Sequence, residues 1–353
     1  HSIYIHSIDM IIEKIKIKPY QISFKKEYQN AKLSINQRKG WIIEIHSNGE
    51  IGYGDACPLD GFSVEGYSQS GYGLEGFKLS LRDINEIEFD ELLSLSEAHG
   101  ELQPSVEFAI QSAAYDLISK LENISLNKYL SKDAQDSVMI NYYSNNLAQP
   151  FDGMVIKLKI NDTNLFTQLD FIDQTIDKYN GMIKLRLDLN GSYDLPTAIR
   201  LCKMIENKPI DYIEQPLPLD DFEGMYELSL HTDIPLAVDE CITGINSIHY
   251  ILESQCADVF VLKPMLIGGV SKLSEIIQLL RSNSKRFNIS SLLESNVGRL
   301  FYLHLSSAFK ISEECGISTD VFFESDICKF PSSSNGSIEI NNNPGIGINE
   351  IHL

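Results

Sequence analysis

The stretch MVIKLKI, Met154–Ile160, decides the architecture. Side chains alternate between the two faces of a strand, so Ile156, Leu158 and Ile160 share one face while Lys157 and Lys159 share the other. An aliphatic face toward covering helices and a charged face toward an interior is what the mouth of a closed barrel requires. In MIKLRLDL, Met182–Leu189, Arg186 and Asp188 oppose Leu185, Leu187 and Leu189 in the same way. YIEQPL, Tyr212–Leu217, poses the problem more sharply. Tyr212 and Ile213 suit a buried strand, Pro216 stops one, and Glu214 sits where the strand leaves the core.

Each apolar strand ends in a charge: Lys159, Asp188, Glu214, Asp239 and Lys263, at intervals of 29, 26, 25 and 24 residues. A strand–helix repeat takes about 30 residues, so each interval fits one unit. Further strands are expected in VMINYY, PLAVDE, ADVFVLK and FNISSL, with amphipathic helices such as LPTAIRLCKMIE and VSKLSEIIQLLRS between them. This alternation runs to about residue 318 and predicts an α/β fold, a (β/α)7β TIM-like barrel with an α+β capping domain. In such a barrel the strand ends meet at the C-terminal mouth, where catalytic groups sit.

Taken singly, each carboxylate would more often be a solvated loop residue or a helix cap, and each lysine a snorkelling surface group. Five in succession at strand ends make coincidence a poor account. Asp188, Glu214 and Asp239 converging without compensation would repel one another, which a divalent cation relieves. An all-oxygen set selects a hard ion, Mg²⁺ or Mn²⁺. Lys159 and Lys263 then offer a base and a second group to catch charge in a carbon-acid reaction, and the neighbouring Lys157 and the cation are expected to lower the pKa of Lys159.

Residues 1–100 read as the capping domain, completed by about 322–353, with the barrel at 101–321. IEKIKIK alternates like a strand, and Asn48-Gly49 marks a hairpin turn. The glycine-rich CPLDGFSVEGYSQSGYGLEG is expected to form an irregular flap. It lacks the G-K-[ST] of a phosphate loop. From Pro104, Val106, Ala109, Ile110, Ala113, Leu117 and Leu121 fall at helical spacing. The tail, SSSNGSIEINNNPGIGI, is expected to pack on the N-terminal unit.

A formal charge of −20 over 353 residues excludes a nucleic-acid partner, which needs a basic face. The six cysteines form no C-x-x-C pair and read as reduced thiols. No apolar run approaches a membrane span, and the first twenty residues hold no signal-peptide core, so a cytoplasmic protein without a membrane partner is expected. The local gathering of Lys157, Lys159, Arg186 and Lys263 suits a small anionic carboxylate substrate.

The motifs Lys157-Leu158-Lys159, Asp188-Leu189-Asn190, Glu214, Asp239-Glu240 and Lys263 resemble the enolase superfamily, in the branch that includes muconate cycloisomerase. Within it, GYGDACPLDGFS, LKPMLIGG and SSLLESNVG are most similar to the o-succinylbenzoate synthase family. That family loses water from 2-succinyl-6-hydroxy-2,4-cyclohexadiene-1-carboxylate to form 2-succinylbenzoate for menaquinone. The resemblance implies Mg²⁺ on Asp188, Glu214 and Asp239, and Lys159 and Lys263 facing each other across the substrate. It also implies substrate contacts from Lys157, Arg186, Asn190 and Ser291. Leu292-Leu293 and Asn296-Val297 depart from the family's serine-rich seventh-strand stretch. A racemase or dipeptide epimerase of the same superfamily would use the same metal and lysines. Ser318-Thr319-Asp320 stands where dipeptide epimerases carry an Asp-x-Asp. A non-catalytic metal-binding barrel would not need both lysines.

Overall fold

The structure, a computed structural model, describes residues 9–29, 34–143, 151–160 and 164–353. Seven parallel strands pair in chain order: Tyr142–Tyr143, Met154–Lys159, Ile183–Asp188, Ile210–Glu214, Leu236–Val238, Val259–Leu262 and Arg286–Ile289. The sheet curls until its ends meet on the short segment Cys315–Gly316. Cys315 bridges Ile140 on one side and Gly316 bridges Ser290 on the other, both in parallel. Backbone bonds from Asn141 N to Cys315 O and from Ser291 N to Gly316 O, 3.1 and 3.0 Å, complete an eight-membered ring. The expected barrel is thus present, with its eighth stave only a few residues long.

The covering helices follow from apolar stripes bounded by caps. In Val270–Ser282, Leu273, Ile276, Ile277 and Leu280 are buried on one side. Asn164, Asp194, Asp221 and Ser295 each accept a first-turn amide and start the helices Leu165–Lys178, Leu195–Ile205, Phe222–Ser229 and Asn296–Ala308.

Register sets the heights of the charges. Lys159 lies level with Asp188, and Asp188 with Glu214. Glu214 pairs with Ala237, so Asp239 stands on the same face two residues higher. Deeper in the lumen, Tyr212, Ala237, Val259 and Val261 form a small apolar plug. The guanidinium groups of Arg186 and Arg286 lie 4.7 and 6.0 Å from the Tyr212 ring centroid and floor the barrel.

The N-terminal part is a three-stranded antiparallel sheet, Lys14–Gln29, Ser34–Ser47 and Glu50–Ala56. Asn48 and Gly49 turn its hairpin at φ 48 and 80. Helices Tyr67–Ser80, Phe89–Gly100 and Pro104–Leu121 accompany it. The last lies so close to the third strand that a Cβ on Gly54 would come within 1.8 Å of the Ala109 carbonyl oxygen.

Three expectations change. The glycine-rich stretch is a loop only to Gly66, and Tyr67–Ser80 is helical. Its glycines serve packing, since a Cβ on Gly71 would lie 2.7 Å from the Trp41 ring. VMINYY divides: Ser137–Met139 pairs antiparallel with the tail strand Ser337–Glu339, and only Tyr142–Tyr143 joins the barrel. The tail therefore starts against the barrel's first segment and reaches the N-terminal unit afterwards, where Ile346 N donates to Asp116 and Tyr53 to Asn349 O. Among the described residues no helix is long and apolar enough to cross a membrane. All six cysteines are free and buried.

Candidate active site

A pocket opens at the C-terminal mouth of the barrel. Its polar wall is Lys157, Lys159, Asp188, Asn190, Asp239, Glu240 and Lys263. These residues come from the ends of the second, third, fifth and sixth strands, as their spacing predicts. Tyr28, Leu59 and Phe62 reach over from the N-terminal unit, the first from the segment 21–29 and the others from 56–65, both expected to lie over the mouth.

The charges interlock. Lys157 Nζ lies 2.6 Å from Glu214 Oε1 and 3.1 Å from Asp188 Oδ2. Lys263 Nζ pairs with Asp239 Oδ1. Burial opposes the charge on Glu214, and Asp188 and Asp239 add to that, so its pKa is pushed well up despite Lys157. Burial also opposes ionisation of Asp188, but Lys157 and Lys159 outweigh it and hold that carboxyl below its ordinary value. Burial works against the charge on Lys159, yet Tyr28 and Asp188 favour it more, so the protein groups by themselves shift its pKa upward, and the expected lowering depends on a bound cation.

Asp188, Glu214 and Asp239 are spread by the two lysines. Among the described residues, the carboxylate trio whose oxygens lie within 4.8 Å of one another is Asp211, Glu313 and Glu314. That trio sits at the barrel floor and is matched by guanidinium groups, with Arg186 and Arg286 both 2.7 Å from Asp211. It is an ion-pair network. At the mouth, by contrast, Glu214 Oε2, Glu240 Oε2 and Asn190 Oδ1 are buried without a hydrogen-bond partner. Orphaned hard oxygen donors beside Asp188 and Asp239 fit a divalent cation of the Mg²⁺ type.

Asn190 lines the pocket at φ 47, and its Nδ2 donates to Glu240 Oε1 at 2.8 Å. Ser291 also lines it, donating to Glu294 Oε1 at 2.7 Å and accepting from Thr319 Oγ1 at 2.9 Å. Arg186 does not. It shares the face of Asp188 but lies two residues deeper, and its donors go to Asp211, Glu314 Oε2 and the Glu314 carbonyl. The expectation that it meets substrate is corrected on that ground.

Sequence reasoning missed Tyr143, Thr319 and Phe322 as pocket residues, and it reaches Tyr28 only as a member of the segment 21–29 expected over the mouth. Tyr143 ends the first barrel strand and was detectable by the strand-end rule had it been extended beyond charges. Tyr28 and Phe322 arrive from opposite ends of the chain, ring centroids 5.9 Å apart, and local pattern carries no signal for that meeting.

Known proteins share this fold. Residues 12–117 match the MenC N-terminal domain. An o-succinylbenzoate synthase of Thermobifida fusca is 28% identical over 42% of this chain and 45% of its own length. The o-succinylbenzoate synthase of Bacillus subtilis is 23% identical over 96% and 94%. The L-Ala-D/L-Glu epimerase of Clostridium acetobutylicum is 24% identical over 97% and 100%. Among solved structures, a substrate-liganded L-Ala-D/L-Glu epimerase of Bacillus subtilis superposes with a TM-score of 0.86 at 20% identity, covering 98% of this chain and all of that one. Residues 153–350 match the enolase C-terminal domain-like family, more than half of the chain, and the protein belongs to it.

Proposed function

We propose that the protein is an o-succinylbenzoate synthase. It would convert 2-succinyl-6-hydroxy-2,4-cyclohexadiene-1-carboxylate to 2-succinylbenzoate and water for menaquinone biosynthesis, with Mg²⁺ on Asp188, Glu214 and Asp239. The observation that carries the synthase reading is Asp320 standing outside the pocket lining, while the carbon-acid chemistry rests on the pair Lys159 and Lys263, on the second and sixth staves of an eight-membered ring. Four staves apart, they face each other across the lumen. Buried thiols without a disulfide suit a cytoplasmic enzyme.

A divalent cation held by Asp188, Glu214 and Asp239 would supply the positive charge that makes a proton α to a carboxylate acidic enough to remove. Lys159 Nζ would take that proton in the neutral form, which a bound cation would favour against the pull of Tyr28 and Asp188. As the ring aromatises, the carbon–oxygen bond to the hydroxyl breaks, and the Lys159 ammonium returns its proton to the departing oxygen on the same face as water. The Lys263 ammonium steadies the negative charge that develops on the opposite side. Leu59, Phe62, Leu292 and Leu293 supply an apolar part of the pocket lining.

The rival reading is racemisation of an N-acylamino acid or epimerisation of a dipeptide, which two facing lysines also suit. A dipeptide amine needs an acidic partner away from the metal ligands. Asp320 lies outside the pocket lining, its Oδ1 3.9 Å from Arg299 Nη1, and Thr319 faces the pocket in its place. This supports the synthase. One preparation assayed for both reactions tests it, by product formation for dehydration and by α-deuterium incorporation for racemisation. The expected result is a higher kcat/KM for dehydration, and the reverse order overturns the substrate assignment.

A further inference from the structure

The wall of the pocket between Ser290 and Ser295 is held from the N-terminal unit. Arg38, on the strand Ser34–Ser47, is 4% exposed. Its Nε donates to the Leu293 carbonyl at 3.1 Å, Nη1 to the Pro58 carbonyl at 3.1 Å and Nη2 to the Cys57 carbonyl at 2.7 Å. One guanidinium therefore ties the loop that carries Leu59 and Phe62 to the loop that carries Leu292 and Leu293. All four of those side chains line the pocket.

The grip acts on an unfavourable conformation. Leu293 has φ 65, in the left-handed region that a leucine rarely adopts. Two residues on, Asp55 accepts bonds from Ser295 N and Ser295 Oγ at 3.0 and 2.6 Å. Both ends of the strained turn are thus fastened by residues of the antiparallel sheet. A planar fork reaches carbonyls in several directions at once, which a lysine ammonium on a flexible stem does not reproduce.

We propose that Arg38 is a positioning residue that fixes the gap between the Leu59–Phe62 and Leu292–Leu293 walls, and so sets the size of the arm a substrate can carry beyond its reacting carboxylate. This rests on the proposed reaction only for the choice of substrate in the kinetics.

The test compares wild type, Arg38→Lys and Arg38→Ala by amide hydrogen exchange of the full chain, then by kinetics. Exchange in residues 57–63 and 290–295 is expected to quicken about tenfold or more in Arg38→Ala, as charge-assisted bonds are lost. Arg38→Lys is expected to fall between, and the helix Leu195–Ile205 to stay unchanged. KM is expected to rise about tenfold with kcat within about threefold, because the lysines are untouched. Should Arg38→Ala not fold, the lysine variant carries the same comparison. Unchanged exchange in either segment, or a uniform rise through the chain, overturns the proposal. The exchange is read without substrate. A wild type that dehydrates nothing therefore sinks the functional reading and leaves the Arg38 result to stand or fall alone.

Discussion

Lys159 and Tyr28 meet face to ring, the ammonium 4.6 Å from the ring centroid. The lysine comes from the second barrel strand and the tyrosine from the first strand of the antiparallel sheet, so the base is roofed by the other unit. A desolvated contact of this kind is worth about 2 kcal/mol. Tyr28→Leu is expected to lower kcat/KM by about tenfold, whereas Tyr28→Phe keeps the ring and stays within about threefold. A leucine variant with wild-type kinetics would show that the roof is incidental.

The two lysines are expected to be indispensable to turnover and dispensable to folding. Lys159→Ala should lose at least about 10²-fold in kcat, the usual range for a general base, while its circular dichroism matches wild type. Lys263→Ala should lose a similar amount through uncompensated charge. A loss below about tenfold for Lys159→Ala removes it from the role of base.

Metal binding is testable without activity. A ligand at 100 times its Kd stabilises the folded state by about 2.7 kcal/mol, so added Mg²⁺ is expected to raise Tm and a chelator to reverse it. Asp239→Asn should abolish the rise. If metal analysis finds no ion and Tm ignores Mg²⁺ in the wild type, the orphaned Glu214, Glu240 and Asn190 oxygens need another explanation.

Arg186 offers the opposite test. Arg186→Met leaves Asp211 and Glu314 at the floor short of a partner, and breaking a buried pair from one side costs about 3–5 kcal/mol. Denaturant unfolding should record that loss, while KM stays within about twofold. A large rise in KM at unchanged stability would return Arg186 to the substrate site.

Asp55 gives the protein a pH-dependent term. Burial raises its pKa from an ordinary 3.8 to about 7, with Ser295 and Tyr20 pulling back and Glu294 adding to the rise. The folded form therefore holds a proton that the unfolded chain has released between those values. The penalty is absent below about pH 4, grows as pH climbs, and is complete above about pH 7. At 1.36 kcal/mol per unit it reaches on the order of 4 kcal/mol. Asp55→Asn should flatten this slope, measured as the difference in unfolding free energy from wild type between pH 5 and pH 8. An unchanged slope would mean that Asp55 ionises normally.

Strand-end spacing made the barrel and the five mouth charges legible, because one β/α unit repeats and its period survives in the sequence. Alternation gives the face of a side chain but not its depth. Arg186 and Asp188 are indistinguishable by period, yet about 6.6 Å of rise separates floor from mouth. The glycines of residues 66–76 were read as looseness because composition does not report a neighbour, and Trp41 packing against Gly71 is a neighbour far along the chain. Leu293 and Arg38 were silent for the same reason. Their bond spans 255 positions.

The ring of strands resembles a hoop with a clasp. Seven staves join edge to edge, and among the described residues the last gap is shut by Cys315 and Gly316. The clasp borders Ser290, at the foot of the turn that Arg38 and Asp55 fasten. The sector closed by the shortest stave is therefore the one strapped from above. Severing the antiparallel sheet from the barrel would leave a hoop free to spring at that gap, and two separately expressed halves would not amount to one catalyst.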